Sequence, residues 1–155
     1  MKLNNIIQNH FLKEKKGIEK LISSIEVENL KNFDKLIKLS VKAVKNKNKI
    51  LFYGNGGSAA DAQHLATELT VRFKKKRKAI AALSLSTDTS ALTAIGNDLG
   101  FKYIFSRQIE AIGNSGDIAI AITTSGNSVN LIEASKTAKK KKYYLFVYQE
   151  IMEVN

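Results

Sequence analysis

His64 and Glu68 stand four residues apart, which places an imidazole and a carboxylate on one face of a helix. The pair suits either an ordinary helix contact or two ligands of one metal ion, and such a carboxylate can also act as a general base. Asp61, one turn earlier, lies beside a loop rich in glycine. A carboxylate next to a phosphate cradle is electrostatically costly unless it takes a proton or holds a cation, and this points to Glu68 as the working group.

That loop is Gly54-Asn55-Gly56-Gly57-Ser58. Its glycines let backbone approach an anion closely, and the Ser58 hydroxyl falls where the first free N–H groups of a following helix bind the same oxygens. Thr123-Thr124-Ser125-Gly126-Asn127-Ser128 repeats the device with four hydroxyls in six residues. One such loop serves equally as a plain tight turn; two of them after successive strands favour a ligand. Neither carries the Lys-Ser/Thr of a nucleotide P-loop or the full dinucleotide fingerprint, so ATP, GTP and NAD are disfavoured and a sugar phosphate fits better.

The elements that must hold these turns can be read from the apolar spacing. Ile6, Ile7, Phe11 and Leu12, then Leu30, Phe33, Ile37, Val41 and Val44, predict two helices over residues 1–49. Such stripes pack on the chain's own sheet or on a partner subunit. Ile50 to Tyr53 predicts a buried strand, Ala59 to about Phe73 a helix, Ala79 to Leu85 a second strand, and Ser86 to Ser90 a loop supplying the next helix cap. Gly96-Asn97-Asp98 is expected to break that helix. A helix over Phe105 to Ile112, a strand over Asp117 to Thr123, a helix over Val129 to Lys142 and a strand over Tyr143 to Val147 follow. Strands alternating with helices predict an α/β, doubly wound, mainly parallel sheet, in which ligands bind at the carboxyl ends of the strands. The expected organisation is one domain: helical 1–49, an α/β core over 50–147, and a tail over 148–155.

The chain of 155 residues, 44% hydrophobic and 25% charged, has enough core for one domain and excludes disorder as the general state. With no Cys, any metal must be held by His, carboxylate or amide groups, and His10 and His64 are the two histidines present. No apolar run spans a bilayer and the start lacks a signal-peptide core, so a cytoplasmic protein that uses no membrane is expected. The net charge of +11 comes from lysine clusters at 13–16, 74–78 and 139–142, without the aromatic interleaving that stacks bases. A solvated basic face is expected rather than a specific nucleic-acid surface.

The segment Gly54-Asn55-Gly56-Gly57-Ser58-Ala59-Ala60-Asp61-Ala62-Gln63-His64-Leu65-Ala66-Thr67-Glu68-Leu69 resembles the phosphoheptose isomerases of the sugar isomerase (SIS) domain class. Similarity continues at Leu92-Thr93-Ala94-Ile95-Gly96-Asn97-Asp98, Phe105-Ser106-Arg107-Gln108-Ile109-Glu110 and Thr124-Ser125-Gly126-Asn127-Ser128, over residues 1 to about 142. The resemblance implies conversion of D-sedoheptulose 7-phosphate to D-glycero-D-manno-heptose 7-phosphate, feeding lipopolysaccharide or capsule, by a homotetramer with active sites between subunits. By position it implies that Asn55, Gly56, Gly57, Ser58, Asn97, Asp98, Thr124, Ser125 and Ser128 bind substrate. It also implies that His64 and Glu68 are two zinc ligands and that Glu68 is the base. The alternative from another class is a non-catalytic SIS relative that senses a sugar phosphate or binds a replication initiator.

Tyr148 to Asn155 departs from the family's pattern, in which a further strand and a final helix supply a Gln and a His to the zinc. Codons able to encode this tail also encode, in another frame, Ser-Gly-Asn-Asn-Gly-Gly-Lys, which resembles the family's loop. Lys139 to Lys142 implies an adenine-rich tract where a polymerase slips. A frameshift that removes the last strand and helix, and with them activity and zinc affinity, is therefore expected; a coding tract free of slippage on resequencing overturns it.

Overall fold

The computed structural model describes residues 2–23 and 27–149. The chain divides into two compact units, one ending at Ile37 and the other beginning at Lys38. In the first, α1 (Lys2–Ser23) and the leading part of α2 (Val27–Lys45) form the two expected helices. Ile6, Phe11, Leu12, Ile18, Leu30 and Phe33 stay more than half exposed, so this unit leaves its apolar stripes on its surface. Lys15 pairs with Glu19 one turn on, at 3.7 Å.

The second unit is a four-stranded, all-parallel sheet in the order β2-β1-β3-β4, where β1 is Ile50–Gly54, β2 Ala82–Ser84, β3 Ile118–Thr123 and β4 Tyr144–Gln149. β1 and β3 are buried along their whole length, as continuous apolar runs covered on both faces must be. Alternation sorts their side chains. Leu51, Tyr53, Ala119 and Ala121 join a core cluster with Phe105, Ile109, Leu131 and Ala134 from α5 (Ser106–Ile112), its cap, and α6 (Val129–Lys140). The Tyr53 and Phe105 rings lie 5.6 Å apart at 41°. The doubly wound expectation holds, with boundaries moved by a few residues. β2 shrinks to three residues, and β4 extends through Tyr148 and Gln149, which the sequence reading assigned to the tail. Residues 150–155 of that tail lie outside the described residues.

One expectation is adjusted: α4 (Thr89–Asp98) takes in Gly96 and Asn97 and ends at Asp98, the last residue of the expected break. A single glycine inside a helix costs only about 1 kcal/mol, which the Asp88 cap offsets by accepting from Ala91 N–H at 2.9 Å. The chain leaves the helix at Leu99-Gly100, where Gly100 takes φ +101°, a conformation that a side chain disfavours.

Two basic clusters are partly structural. The Arg77 guanidinium donates to the carbonyls of Leu69 at 2.8 Å and Lys78 at 2.9 Å, and also to that of Glu68, closing the end of α3 (Gly57–Thr70). The Lys141 ammonium donates to Glu110 O at 2.6 Å and Gly113 O at 2.9 Å, closing α5. Cations at these carbonyl ends satisfy helix acceptors and complement the dipole.

At the amino end of β3, Asp117 is wholly buried and accepts from Lys49 N–H (3.0 Å), Asn48 Nδ2 (3.1 Å) and Asn114 N–H (2.8 Å), with Lys49 Nζ at 2.8 Å. Burial by itself would raise this carboxyl; the Lys49 backbone and side-chain bonds, with those of Asn114 and Asn48, together hold it below the usual carboxylate range. A depressed folded value means stability that is present above the unfolded carboxylate range and is lost as pH falls through it. Asp117→Asn is expected to cost about 2 to 3 kcal/mol at neutral pH and to flatten the acid limb of the stability curve, read by urea melts from pH 7 to pH 3.

Candidate active site

The strand order reverses between β1 and β3: the chain leaves β1 for β2 on one side, then crosses to β3 on the other. In open parallel sheets that reversal opens a crevice at the carboxyl ends of the strands. Gly54 pairs with Ile122 there, so the turns after β1 and β3 emerge side by side.

The first turn is held closely. Ser86 Oγ donates to Gly54 O at 3.2 Å, tying in the loop after β2. Gly56 takes φ +55° and caps α3 with its backbone carbonyl, which accepts from Ala59 N–H at 3.0 Å, and no side-chain oxygen caps the leading N–H groups. Gly57 is exposed, Ser58 is buried, and Asn55 is half-buried. In the second turn Gly126 N–H donates to Thr123 Oγ1 at 3.1 Å and Asn127 N–H to Ser125 Oγ at 3.3 Å. Ser128 caps α6 with its backbone while its hydroxyl makes no capping bond, which leaves that oxygen for a ligand. Thr124 and Ser125 are exposed on the same rim.

The two turns are joined directly by a residue that the sequence reading missed. Asn130, in the first turn of α6, exchanges two side-chain hydrogen bonds with Asn55, at 2.9 and 2.8 Å. The only available signal was its place two residues after Ser128.

The other expected site residues sit elsewhere on the chain. His64 and Glu68 do share one face of α3, with Nε2 and Oε1 3.8 Å apart, His64 exposed and Glu68 half-buried. Ten residues of helix separate Glu68 from Ser58, about 15 Å of rise, so this pair does not reach the turns of its own chain directly. Asn97 and Asp98 bond each other at 2.8 Å, exposed at the carboxyl end of α4. A zinc ligand lies about 2 Å from its metal, so a small rotation lets His64 and Glu68 share one ion. Among the described residues no group of three or more His, Asp or Glu gathers for a metal.

Comparison with known proteins bears on the family and the fold. The SIS domain family model matches residues 15–146. The chain is 50% identical over 137 residues to a phosphoheptose isomerase of Helicobacter pylori strain P12, covering 88% of this chain and 69% of that protein. It superposes on the phosphoheptose isomerase of Neisseria gonorrhoeae with a TM-score of 0.80 at 41% identity, covering 94% of this chain and 73% of the other. The phosphoheptose isomerase of Francisella tularensis gives a TM-score of 0.81 at 30% identity, with 95% and 74% covered.

Proposed function

The chain belongs to the phosphoheptose isomerases of the SIS domain family, and from that premise we propose that it interconverts D-sedoheptulose 7-phosphate and D-glycero-D-manno-heptose 7-phosphate. The observation that carries the reading is the pair of hydroxyl- and glycine-rich turns meeting at the sheet's reversal point. The N–H groups of α3 and α6, with Ser58, Thr124, Ser125 and Ser128, take the phosphate, and Asn55 takes sugar hydroxyls.

Ketose and aldose differ by two proton shifts. The Glu68 carboxylate takes a proton from C1 and returns it to C2 through an enediol, while a hydroxyl proton leaves O1 and another arrives at O2. His64 and Glu68 would hold zinc together with further donors, and a bound zinc would supply Lewis-acid stabilisation of the oxygen charge that develops. Because Glu68 lies about 15 Å along α3 from its own Ser58, a second copy completes each site, in a homotetramer that buries the exposed stripes of α1 and α2. No described helix is long and apolar enough to cross a membrane, and the proposed setting is the cytoplasm, feeding lipopolysaccharide or capsule heptose.

The test is a zinc-supplemented isomerisation assay on sedoheptulose 7-phosphate, run on this chain and on a form extended to the relatives' full length. Turnover in either supports the reading. Binding of the sugar phosphate without turnover in both would replace it by a non-catalytic sensor, and absence of binding would remove it.

A further inference from the structure

Asn130 is buried, with 3% of its surface exposed, and its amide has one permitted orientation. Its Oδ1 accepts from the Leu131 N–H at 3.0 Å, so the oxygen must face the backbone and the Nδ2 must face away. That Nδ2 donates to Asn55 Oδ1 at 2.8 Å, which in turn forces Asn55 Nδ2 back onto Asn130 Oδ1 at 2.9 Å. The α6 backbone thereby dictates which way the Asn55 amide points, across 75 residues of sequence. Each asparagine amide carries two N–H donors and an oxygen with two lone pairs, so Asn55 keeps one donor and one acceptor for something outside the pair.

A buried amide paired with a half-buried one is a poor way to fill space, since desolvation offsets most of what their mutual bonds contribute. An apolar pair would stabilise the junction at least as well. The amides differ from it in being directional: they fix one side-chain orientation and one separation between the starts of α3 and α6, at the point where the turns must converge on a ligand.

We infer that Asn130 is a positioning residue, which sets the Asn55 amide and the spacing of the two turns without itself touching substrate. The inference rests on the proposed sugar-phosphate site. Asn130→Ala, Asn55→Ala and the double variant are compared in the full chain by calorimetry with sedoheptulose 7-phosphate and with inorganic phosphate. Each single variant is expected to weaken the sugar phosphate about tenfold, and the double variant to be no weaker than Asn55→Ala alone. Asn130→Ala binding like the unaltered chain, two losses that add independently, or a lowered melting temperature with unchanged affinity would each overturn the inference. An unaltered chain that binds neither ligand overturns the site reading itself, which distinguishes the two failures.

A ligand-free readout accompanies these. The Asn55 side-chain amide resonance in a ¹⁵N spectrum is expected to be shifted and protected from exchange, and to move to solvent-exposed values in Asn130→Ala. Should that variant fail to fold, Asn130→Asp keeps the Leu131 bond and removes the donor to Asn55 Oδ1. An Asn55 resonance already at solvent-exposed values in the unaltered chain overturns the inference.

Discussion

Glu68→Gln is expected to lower kcat for heptose phosphate isomerisation by about 10²- to 10⁴-fold, the range that a positioned general base contributes. The substitution keeps the shape of the side chain and removes its ability to accept a proton at neutral pH. It leaves α3 intact, because Arg77 bonds the Glu68 backbone carbonyl and not its carboxylate. Glu68 acts at C1 and C2 while the two turns take the phosphate on C7, so affinity for the sugar phosphate should change far less than turnover. Measuring zinc content beside kcat separates the two roles assigned to this carboxylate. Turnover lost with metal retained identifies a base; both lost together identifies a ligand; full turnover in Glu68→Gln removes it from the mechanism.

Gly54→Val should damage the site through the backbone. A Cβ at Gly54 would lie 2.7 Å from Ser58 O and 2.8 Å from Ile122 O, and neither oxygen can turn aside because both belong to the main chain. Either α3 must back away from β1 or β1 must part from β3, and both movements spread the two turns. Overpacking of this kind costs about 1 to 3 kcal/mol, and with the turns displaced, affinity for inorganic phosphate should drop at least tenfold. Gly17 in α1 provides the control, since it lies outside both turns and a Cβ there meets nothing within 4 Å. Gly17→Ala should bind phosphate like the unaltered chain, and equal effects at the two glycines would refute the close-approach argument. Calorimetry with phosphate and urea melts on both variants decide it.

Most of the sheet was legible because parallel strands buried on both faces leave an uninterrupted apolar signature, as in Ile50 to Tyr53 and Ile118 to Thr123. The turns were legible because glycine and hydroxyl residues crowd between strand and helix signals. What stayed hidden depends on contacts between distant residues. Gly96 looked like a break because its sequence does not reveal how well Asp88 caps the helix before it. Arg77 and Lys141 read as members of solvated lysine clusters, yet each ends a helix whose carbonyls lie 8 to 32 positions away. Asn130 gave only the weak signal of its place after Ser128, because its partner Asn55 is brought to it by the β1–β3 pairing.

That pairing also sets a timetable. Of the four described strands, β1 leaves the ribosome first and is one of the two central strands of the sheet, with Ile50 against Ala82 on one side and Ile118 on the other. At roughly 5 to 20 residues per second, the second neighbour emerges about 3 to 14 seconds after the first residue of β1. Through that interval an apolar strand waits with one edge open, in a topology whose long-range contacts make folding slow. The crevice therefore takes shape only once β3 has emerged, and a nascent chain caught before that presents a sticky ribbon to chaperones before it presents any site to a sugar.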